Sequence, residues 1–217
     1  MKSVHTLSCL ALFALALPLA QANATALSDP TGDFFATYGG VKGADLDVVS
    51  TEVVLSGDSF YFSATMNGAI GTTPGFYVWG IDRGTGSTTS SFASLGLPNI
   101  IFDALLFVNP DGSGRVSTLG AGGTTTQFGA GSFAIAGNSF SAVLSTSLLP
   151  SKGFSFEQYT QNLWPRFNGP VAAGTTAISD FAPDAKMAPV SVPEPASLSL
   201  FGLGLMALGV KRKKKQA

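Results

Sequence analysis

The strongest constraint on the fold is an alternation of apolar and small polar side chains with a period of two residues. The segment "FYFSATMN" (residues 60–67) places an apolar side chain at every second position. Successive side chains of a β-strand point to opposite faces, so this pattern predicts a strand with one buried face. Similar runs recur with turn residues between them, and no ten-residue stretch of the middle region has a helical period. We therefore predict an all-β, antiparallel β-sandwich or jelly-roll domain over residues 25–185.

Two turn signals support this prediction. The stretch "NPDGSG" (residues 109–114) is typical of a hairpin loop, and Gly137-Asn138 is typical of a tight hairpin between two alternating runs. Short helical turns are expected around "SFASLG" or "LLPSKG". The predicted core residues are Phe60, Phe62, Phe76, Val78, Ile81, Phe102, Leu106, Val108, Phe133, Ile135, Val143 and Phe154.

The first 24 residues have the pattern of a secretory signal peptide. Lys2 precedes the apolar run "TLSCLALFALALPLA", and Ala22-Asn23-Ala24 provides the small side chains that signal peptidase accepts. We predict cleavage after Ala24, with Ala22 as the alternative. An uncleaved membrane anchor is the competing interpretation, and Pro18 near the end of the run argues against it.

Cleavage would restrict the chemistry that remains. Cys9 is the only cysteine and His5 the only histidine, and both lie in the leader. The mature chain would then hold no disulfide, no thiolate nucleophile, no Ser-His-Asp triad and no His- or Cys-ligated zinc. Half of the basic residues also lie at the two ends, whereas every acid except Glu194 lies between them. The acidic middle region disfavours nucleic acid and anionic lipid as partners.

The C-terminal end combines three features in order. Pro193-Glu194-Pro195 is followed by the uncharged, mostly apolar stretch 196–210 and by the basic run 211–215. As a helix, residues 196–210 would extend roughly 22 Å at 1.5 Å per residue, somewhat less than the roughly 30 Å hydrocarbon core of a bilayer. We predict a short transmembrane helix whose basic end stays cytoplasmic. A buried helix of the globular domain is the alternative, and the glycines of the run weaken it.

Two short segments are predicted to connect the sandwich to the transmembrane helix. Each proline disfavours helical backbone in the residue before it, so Pro193-Glu194-Pro195 forms an extended handle outside the membrane. Residues 186–192 are interpreted as a linker between the sandwich and this handle.

This ending resembles the PEP-CTERM protein-sorting signal of Gram-negative bacteria. The resemblance covers the C-terminal segment only and implies that an exosortase, a membrane-embedded cysteine protease-transpeptidase, recognises Pro193, Glu194 and Pro195 as substrate residues. It further implies export across the inner membrane, transient anchoring there, and delivery to the cell surface or an exopolysaccharide matrix. The expected partners are the exosortase, signal peptidase with the general secretion machinery, and exopolysaccharide. The same kind of segment has also been called an ice-binding protein C-terminal domain, a label that implies no ice binding.

Aspartates cluster at the two ends of the predicted domain. The N-terminal group is Asp29, Asp33, Asp45 and Asp47, and the C-terminal group is Asp180 and Asp184. Because the termini of a sandwich often lie close together, these loops could converge. Carboxylate oxygens are the ligands that Ca²⁺ prefers, so a calcium site is one interpretation. The other is that these aspartates cap turns and need no ion, which the sequence alone favours.

Other candidate binding residues are better explained by structural roles than by ligand binding. Tyr77, Trp79 and Trp164 could stack on sugar rings, but alternating aromatics of a sandwich are mostly core residues. Asp82 and Arg83 lie at a strand end, where ligand-contacting loops begin, but an exposed ion pair is the favoured interpretation. From the two terminal segments together, we predict a non-enzymatic exported protein of the cell surface or matrix. A carbohydrate-binding module is the main alternative, and a polysaccharide hydrolase is third because no acidic spacing supports a catalytic pair.

Overall fold

The computed structural model describes residues 26–84 and 92–193, and these residues build two antiparallel β-sheets. The predicted signal peptide and the predicted transmembrane helix lie outside the described residues. The eleven strands are β1 Leu27–Ser28, β2 Val48–Ser56, β3 Ser59–Met66, β4 Gly75–Asp82, β5 Ala104–Val108, β6 Gly114–Thr118, β7 Thr125–Phe128, β8 Ala134–Ala136, β9 Ser139–Ser145, β10 Thr160–Phe167 and β11 Ala188–Pro189.

The helical content of the described residues consists of single 3-10 turns. They are Ala44–Leu46, Ala93–Leu95, Thr146–Leu148, Phe156–Gln158 and Gly174–Ala177. The turn at Ala93–Leu95 lies in "SFASLG", and the turn at Thr146–Leu148 overlaps the start of "LLPSKG", as predicted. Within the same residues, no helix is long and apolar enough to cross a membrane.

The two sheets have five and six strands. The five-stranded sheet has the order β1-β2-β3-β9-β8, and the six-stranded sheet has the order β11-β10-β4-β5-β6-β7. The loop "NPDGSG" connects β5 to β6, and Gly137-Asn138 connects β8 to β9. Both predicted hairpins are therefore confirmed, and so is the all-β sandwich.

The inner faces of the sheets pack through aromatic side chains. Phe62 of β3 lies edge-on to Trp79 of β4, with ring centroids 5.3 Å apart, and Phe140 of β9 lies 4.4 Å from Tyr77 of β4. Trp79 is fully buried and donates its indole N–H to the Thr51 hydroxyl at 3.2 Å. Large aromatic side chains at the centre of two sheets supply most of the apolar area that stabilises such a domain.

The outer face of the six-stranded sheet is also covered. Val78 and Trp164 point to this face and pack against Phe92 and Ile178 from two connecting segments, together with Phe181. The Trp164 and Phe92 rings meet edge to face with centroids 5.0 Å apart. Because β4 is buried on both faces, its sequence is almost continuously apolar rather than strictly alternating. β10 is buried in the same way but also buries the polar Gln161 and Asn162.

Four of the twelve predicted core residues differ from the prediction. Val143 is 56% exposed. The side chains of Phe140 and Leu144 in β9 point into the core, so that of Val143, which precedes Leu144, points to the opposite face of the sheet. Phe76, Ile135 and Phe154 are only partly buried at the edges of the two clusters. The other eight predicted core residues are buried.

The interpretation of residues 186–192 as a linker is wrong for most of that segment. β11 pairs with β10, the Val190 N–H donates to Tyr159 O at 2.9 Å, and the Ser191 N–H donates to Val53 O of β2 at 2.8 Å. Ala188 and Val190 are buried. Residues 188–191 therefore pass from the edge of one sheet to the edge of the other and form part of the sandwich.

A substitution at Gly80 of β4 tests how tightly the side chains on the outer face of the six-stranded sheet are packed. A Cβ at Gly80 would lie 2.5 Å from a carbon of the buried Trp164 ring. We expect Gly80→Ala to lower the free energy of unfolding by about 1–3 kcal/mol, the usual cost of overpacking. Chemical denaturation of the purified protein measures this change.

Gly129→Ala is the matched control. A Cβ at Gly129 meets no atom within 4 Å, so this variant should unfold like the wild type. Equal stability of Gly80→Ala and the wild type would contradict the packing described here.

Candidate functional site

Three aspartates from the two ends of the domain converge into one acidic cluster. Asp29, Asp33 and Asp180 each place a carboxylate oxygen such that the three oxygens lie within 4.8 Å of one another. Asp29 and Asp33 follow β1, whereas Asp180 lies in the segment between β10 and β11. The name acidic cluster is used below for these three residues.

Backbone hydrogen bonds hold Asp180 in place. Its Oδ2 accepts the Val48 N–H at 2.8 Å, and its Oδ1 accepts the N–H of Phe181 at 2.7 Å. The neighbouring Ser179 hydroxyl donates to Leu46 O at 2.7 Å. Asp180 is only 1% exposed. The segment after β10 is thus fixed against the start of β2 by a buried carboxylate.

Asp29 and Asp33 are held differently, because part of each carboxylate is left without a partner. Asp29 donates its N–H to Val49 O of β2 at 2.8 Å. Asp29 Oδ2 and Asp33 Oδ1 are buried and have no hydrogen-bond partner. Buried carboxylate oxygens without a partner carry a large desolvation cost, so this arrangement requires either protons or a cation.

The electrostatics of the acidic cluster follow from burial and mutual repulsion. Burial, with added repulsion from Asp180 and other nearby carboxylates, raises the pKa of Asp29 from 3.8 to about 8. Burial also raises the pKa of Asp180 to about 7, although its two backbone hydrogen bonds oppose the rise. The pKa of Asp33 is raised, again mainly by burial. Like charges confined in a partly buried site disfavour the ionised form.

The other three predicted aspartates have separate roles. Asp47 accepts the Gly32 N–H with both oxygens, at 3.1 and 2.9 Å, and also accepts the Asn67 side-chain amide at 2.9 Å. Asp45 accepts the Thr73 N–H at 2.9 Å. Asp184 is exposed and raises the pKa of Asp29 through repulsion. Asp47 and Asp45 therefore tie distant segments of the chain together through hydrogen bonds, and both lie outside the group of three.

The acidic cluster fits a hard cation. Its three oxygens are the ligand type that Ca²⁺ takes from proteins, and two of the carboxylates still have oxygens without a partner. Within residues 26–84 and 92–193, the ion pairs involve Asp103, and none reaches these carboxylates. A divalent cation would replace the protons that the raised pKa values otherwise favour.

The predicted ion pair between Asp82 and Arg83 is wrong. Arg83 is buried and donates its Nε–H to Asp103 Oδ1 at 2.7 Å, and it donates a second N–H to Pro150 O at 2.9 Å. Asp82 accepts the Gly84 N–H at 3.2 Å instead. Asp103 precedes β5, the strand that neighbours β4, so the sheet and not the sequence brings the pair together.

The aromatic side chains considered as sugar-stacking residues are core residues. Tyr77 and Trp79 lie between the sheets, and Trp164 lies under the outer cover of the six-stranded sheet. All three are almost completely buried. The interpretation of these residues as core is therefore confirmed.

The sorting segment begins where the sandwich ends. Ser191 pairs with Val54 of β2, and the next two residues, Val192 and Pro193, are exposed.

Residues 191–213 match the family model of the PEP-CTERM protein-sorting motif. No curated protein matches the chain. The predicted sorting signal is thus confirmed, and it marks an exported protein that an exosortase sorts to the cell surface. The described residues do not include the other predicted sorting residues, Glu194 and Pro195, or the predicted signal-peptidase site at Ala22 and Ala24.

The raised pKa values predict how stability depends on pH when calcium is removed. In the unfolded chain these aspartates lose their protons near pH 3.8, whereas in the folded protein Asp29 and Asp180 keep theirs to about 8 and about 7. The folded state binds more protons between these values, so its stability should fall as the pH rises from about 4 to about 8. Urea unfolding in a chelating buffer across this range measures the trend.

Asp29→Asn serves as the matched variant for this pH dependence. It removes one titrating group from the acidic cluster, so its stability should fall less steeply over the same range. A wild-type stability that stays constant or rises between pH 5 and pH 8 would contradict the electrostatics described above.

Proposed function

We propose that the protein is a non-enzymatic constituent of the cell surface or extracellular matrix that associates with exopolysaccharide. The observation that carries this proposal is the sorting motif at residues 191–213. In this proposal the general secretion machinery exports the chain and signal peptidase cleaves after Ala24. Residues 196–210 then hold the protein transiently in the inner membrane while the exosortase processes it near Pro193-Glu194-Pro195.

The position of the motif on the fold supports this route. The last backbone pairing with the sandwich is at Ser191, and Pro193 is exposed two residues later. Proline fixes its own backbone torsion and disfavours helix in the residue before it. An extended peptide that leaves a folded domain at its edge is a suitable substrate for a protease cleft.

The described residues also support a role other than catalysis. Tyr77, Trp79 and Trp164 are buried in the core, and Arg83 is engaged in a buried ion pair. Glu52 lies in β2 and Glu157 lies in the 3-10 turn Phe156–Gln158, and neither belongs to the acidic cluster. An acidic middle region also argues against nucleic acid as a partner.

We further propose that the acidic cluster binds Ca²⁺ as a structural ion. Asp29, Asp33 and Asp180 would provide the ligands, with the two unpartnered oxygens directed to the ion. Extracellular domains commonly use such weak calcium sites, because the ion is abundant outside the cell. The ion would fasten the segment after β1 to the segment after β10.

The processing step predicts a shortened C-terminus. Mass spectrometry of the surface-exposed protein should find a chain that ends near Pro193-Glu194-Pro195, and cells without the exosortase should retain Ala217. Replacing Pro193, Glu194 and Pro195 together by alanine should also leave the C-terminus intact, because the recognition residues are lost. An intact Ala217 on surface-exposed protein from normal cells would contradict the proposal.

Calcium binding predicts a rise in melting temperature. At pH 7.5 a binding ion stabilises the folded state by about 2.7 kcal/mol when its concentration is one hundred times the dissociation constant. Calorimetry should therefore show a higher melting temperature in calcium than in chelator for the wild type. The gain should be much smaller in Asp33→Asn, which removes one ligand.

Asp58→Asn is the control for the calcium experiment. Asp58 is an exposed turn residue outside the acidic cluster, so this variant should keep the full calcium response. Equal melting temperatures of the wild type with calcium and with chelator would rule out the calcium site.

A further inference from the structure

Among residues 26–84 and 92–193, no segment buries the outer face of the five-stranded sheet, whose side chains are half-buried or exposed, in contrast to the covered outer face of the six-stranded sheet. In β3, the inward Phe60 and Phe62 alternate with outward Tyr61 and Ser63, and β2 and β9 alternate in the same way. The residues directed outward define the name hydroxyl face: Ser50, Glu52, Val54, Ser56, Ser59, Tyr61, Ser63, Thr65, Ala134, Ala136, Ser139, Ser141, Val143 and Ser145.

The strand register arranges these side chains in rows across the sheet. Ser50, Thr65 and Ser139 form one row, and the Thr65 and Ser139 hydroxyls lie 3.1 Å apart. Ser56, Ser59 and Ser145 form another row at the opposite end of the face. Hydroxyl groups both donate and accept hydrogen bonds, so the rows present donors and acceptors together on short side chains.

One row between them is apolar. Val54, Tyr61 and Val143 are direct neighbours on β2, β3 and β9, and they span about 10 Å across three strands. Tyr61 is 45% exposed and Val143 is 56% exposed. An aromatic ring and two exposed or half-buried valines thus form an apolar strip that is flanked by hydroxyl groups.

Charge is nearly absent from the hydroxyl face. Glu52 is its only charged side chain among the residues defined above. The stretch 116–151, which supplies β7, β8 and β9, contains no Asp, Glu, Lys, Arg or His, whereas the acidic cluster lies next to β1 and β2. Solvated sheet faces of soluble proteins normally carry charged side chains, so this composition is unusual.

We propose that the hydroxyl face binds a neutral, ribbon-like β-linked polysaccharide, with a sugar ring stacked on Tyr61. Such a chain has flat C–H faces that match the strip of Val54, Tyr61 and Val143 and equatorial hydroxyls that match the serine and threonine rows. A neutral polymer is not repelled by the acidic middle region, whereas an anionic one is. This inference rests on the proposed association with exopolysaccharide and assigns it a surface.

Affinity electrophoresis of the exported protein in native gels that contain hydroxyethylcellulose tests this assignment. The wild type should be retarded relative to a gel without polysaccharide, and Tyr61→Phe should keep most of the retardation because the ring remains. Tyr61→Ala and Val143→Lys should weaken the apparent affinity about tenfold or more, since each removes part of the apolar strip. Gels with alginate, an anionic polysaccharide, should retard the wild type less.

Val171→Lys is the matched control for Val143→Lys. Both valines are exposed, but Val171, at 65% exposure, lies in the segment after β10 and not on the hydroxyl face. This variant should bind like the wild type, and melting curves verify that all variants are folded. Mass spectrometry of the C-terminus keeps the two proposals apart, because Tyr61→Ala should be processed normally.

Three results would overturn the assignment. The first is a wild type that hydroxyethylcellulose does not retard. The second is equal retardation of Val143→Lys and the wild type. The third is concentration-dependent dimerisation of the wild type that Val143→Lys abolishes without any polysaccharide effect, which would assign the face to a second copy of the chain.

Discussion

The structure depends on β2, because both ends of the domain are fastened to this one strand. β1 pairs with its first half at Ser50 and Thr51, and Ser191 pairs with its second half at Val54. Asp180 accepts the N–H of Val48 at the beginning of the same strand. A strand that would otherwise expose an unpaired edge is thereby covered by the two terminal segments of the sandwich.

This arrangement has two consequences for function. It brings Asp29 and Asp33, which follow β1, to Asp180 and so creates the acidic cluster that suits calcium. It also makes the last strand of the fold continuous with the sorting segment, so the sorting motif starts at the edge of the sandwich, where Ser191 pairs with Val54. An ion at the acidic cluster would fasten the segment after β1 to the segment after β10.

The two sheets have different relations to solvent. Connecting segments cover the six-stranded sheet with aromatic side chains, while the five-stranded sheet exposes hydroxyl groups around Tyr61. The doubly covered sheet provides a stable body. The hydroxyl face is the surface to which our proposal assigns polysaccharide binding.

Much of the fold could be predicted from the sequence, because alternation and turn residues are local signals. The strand pattern and both hairpins could be inferred in this way. The convergence of the domain ends was expected on a different ground, because the termini of a sandwich often lie close together. The buried face of β9 could not be identified from the sequence, since Ala142 and Val143 are both apolar and only packing decides which of them is buried. The partner of Arg83 was missed because Asp103 lies twenty residues away along the chain.

The end of the domain was also missed, for a different physical reason. The segment "AKMAPVSV" has the composition of a linker, yet Ala188 and Val190 are small enough to be buried where the two sheets meet. The hydroxyl face was overlooked because serine and threonine in a strand are usually read as ordinary solvated positions. Only the register shows that they form rows around Tyr61.

Hydrogen exchange at the end of the sandwich shows whether residues 188–191 are folded onto β2 and β10. We expect the amides of Val190 and Ser191, which donate to Tyr159 O and Val53 O, to exchange as slowly as those in the adjoining strand β10. Exchange of these two amides at the rate of an unstructured peptide, with β10 still protected, would contradict the claim that the fold continues to the start of the sorting signal.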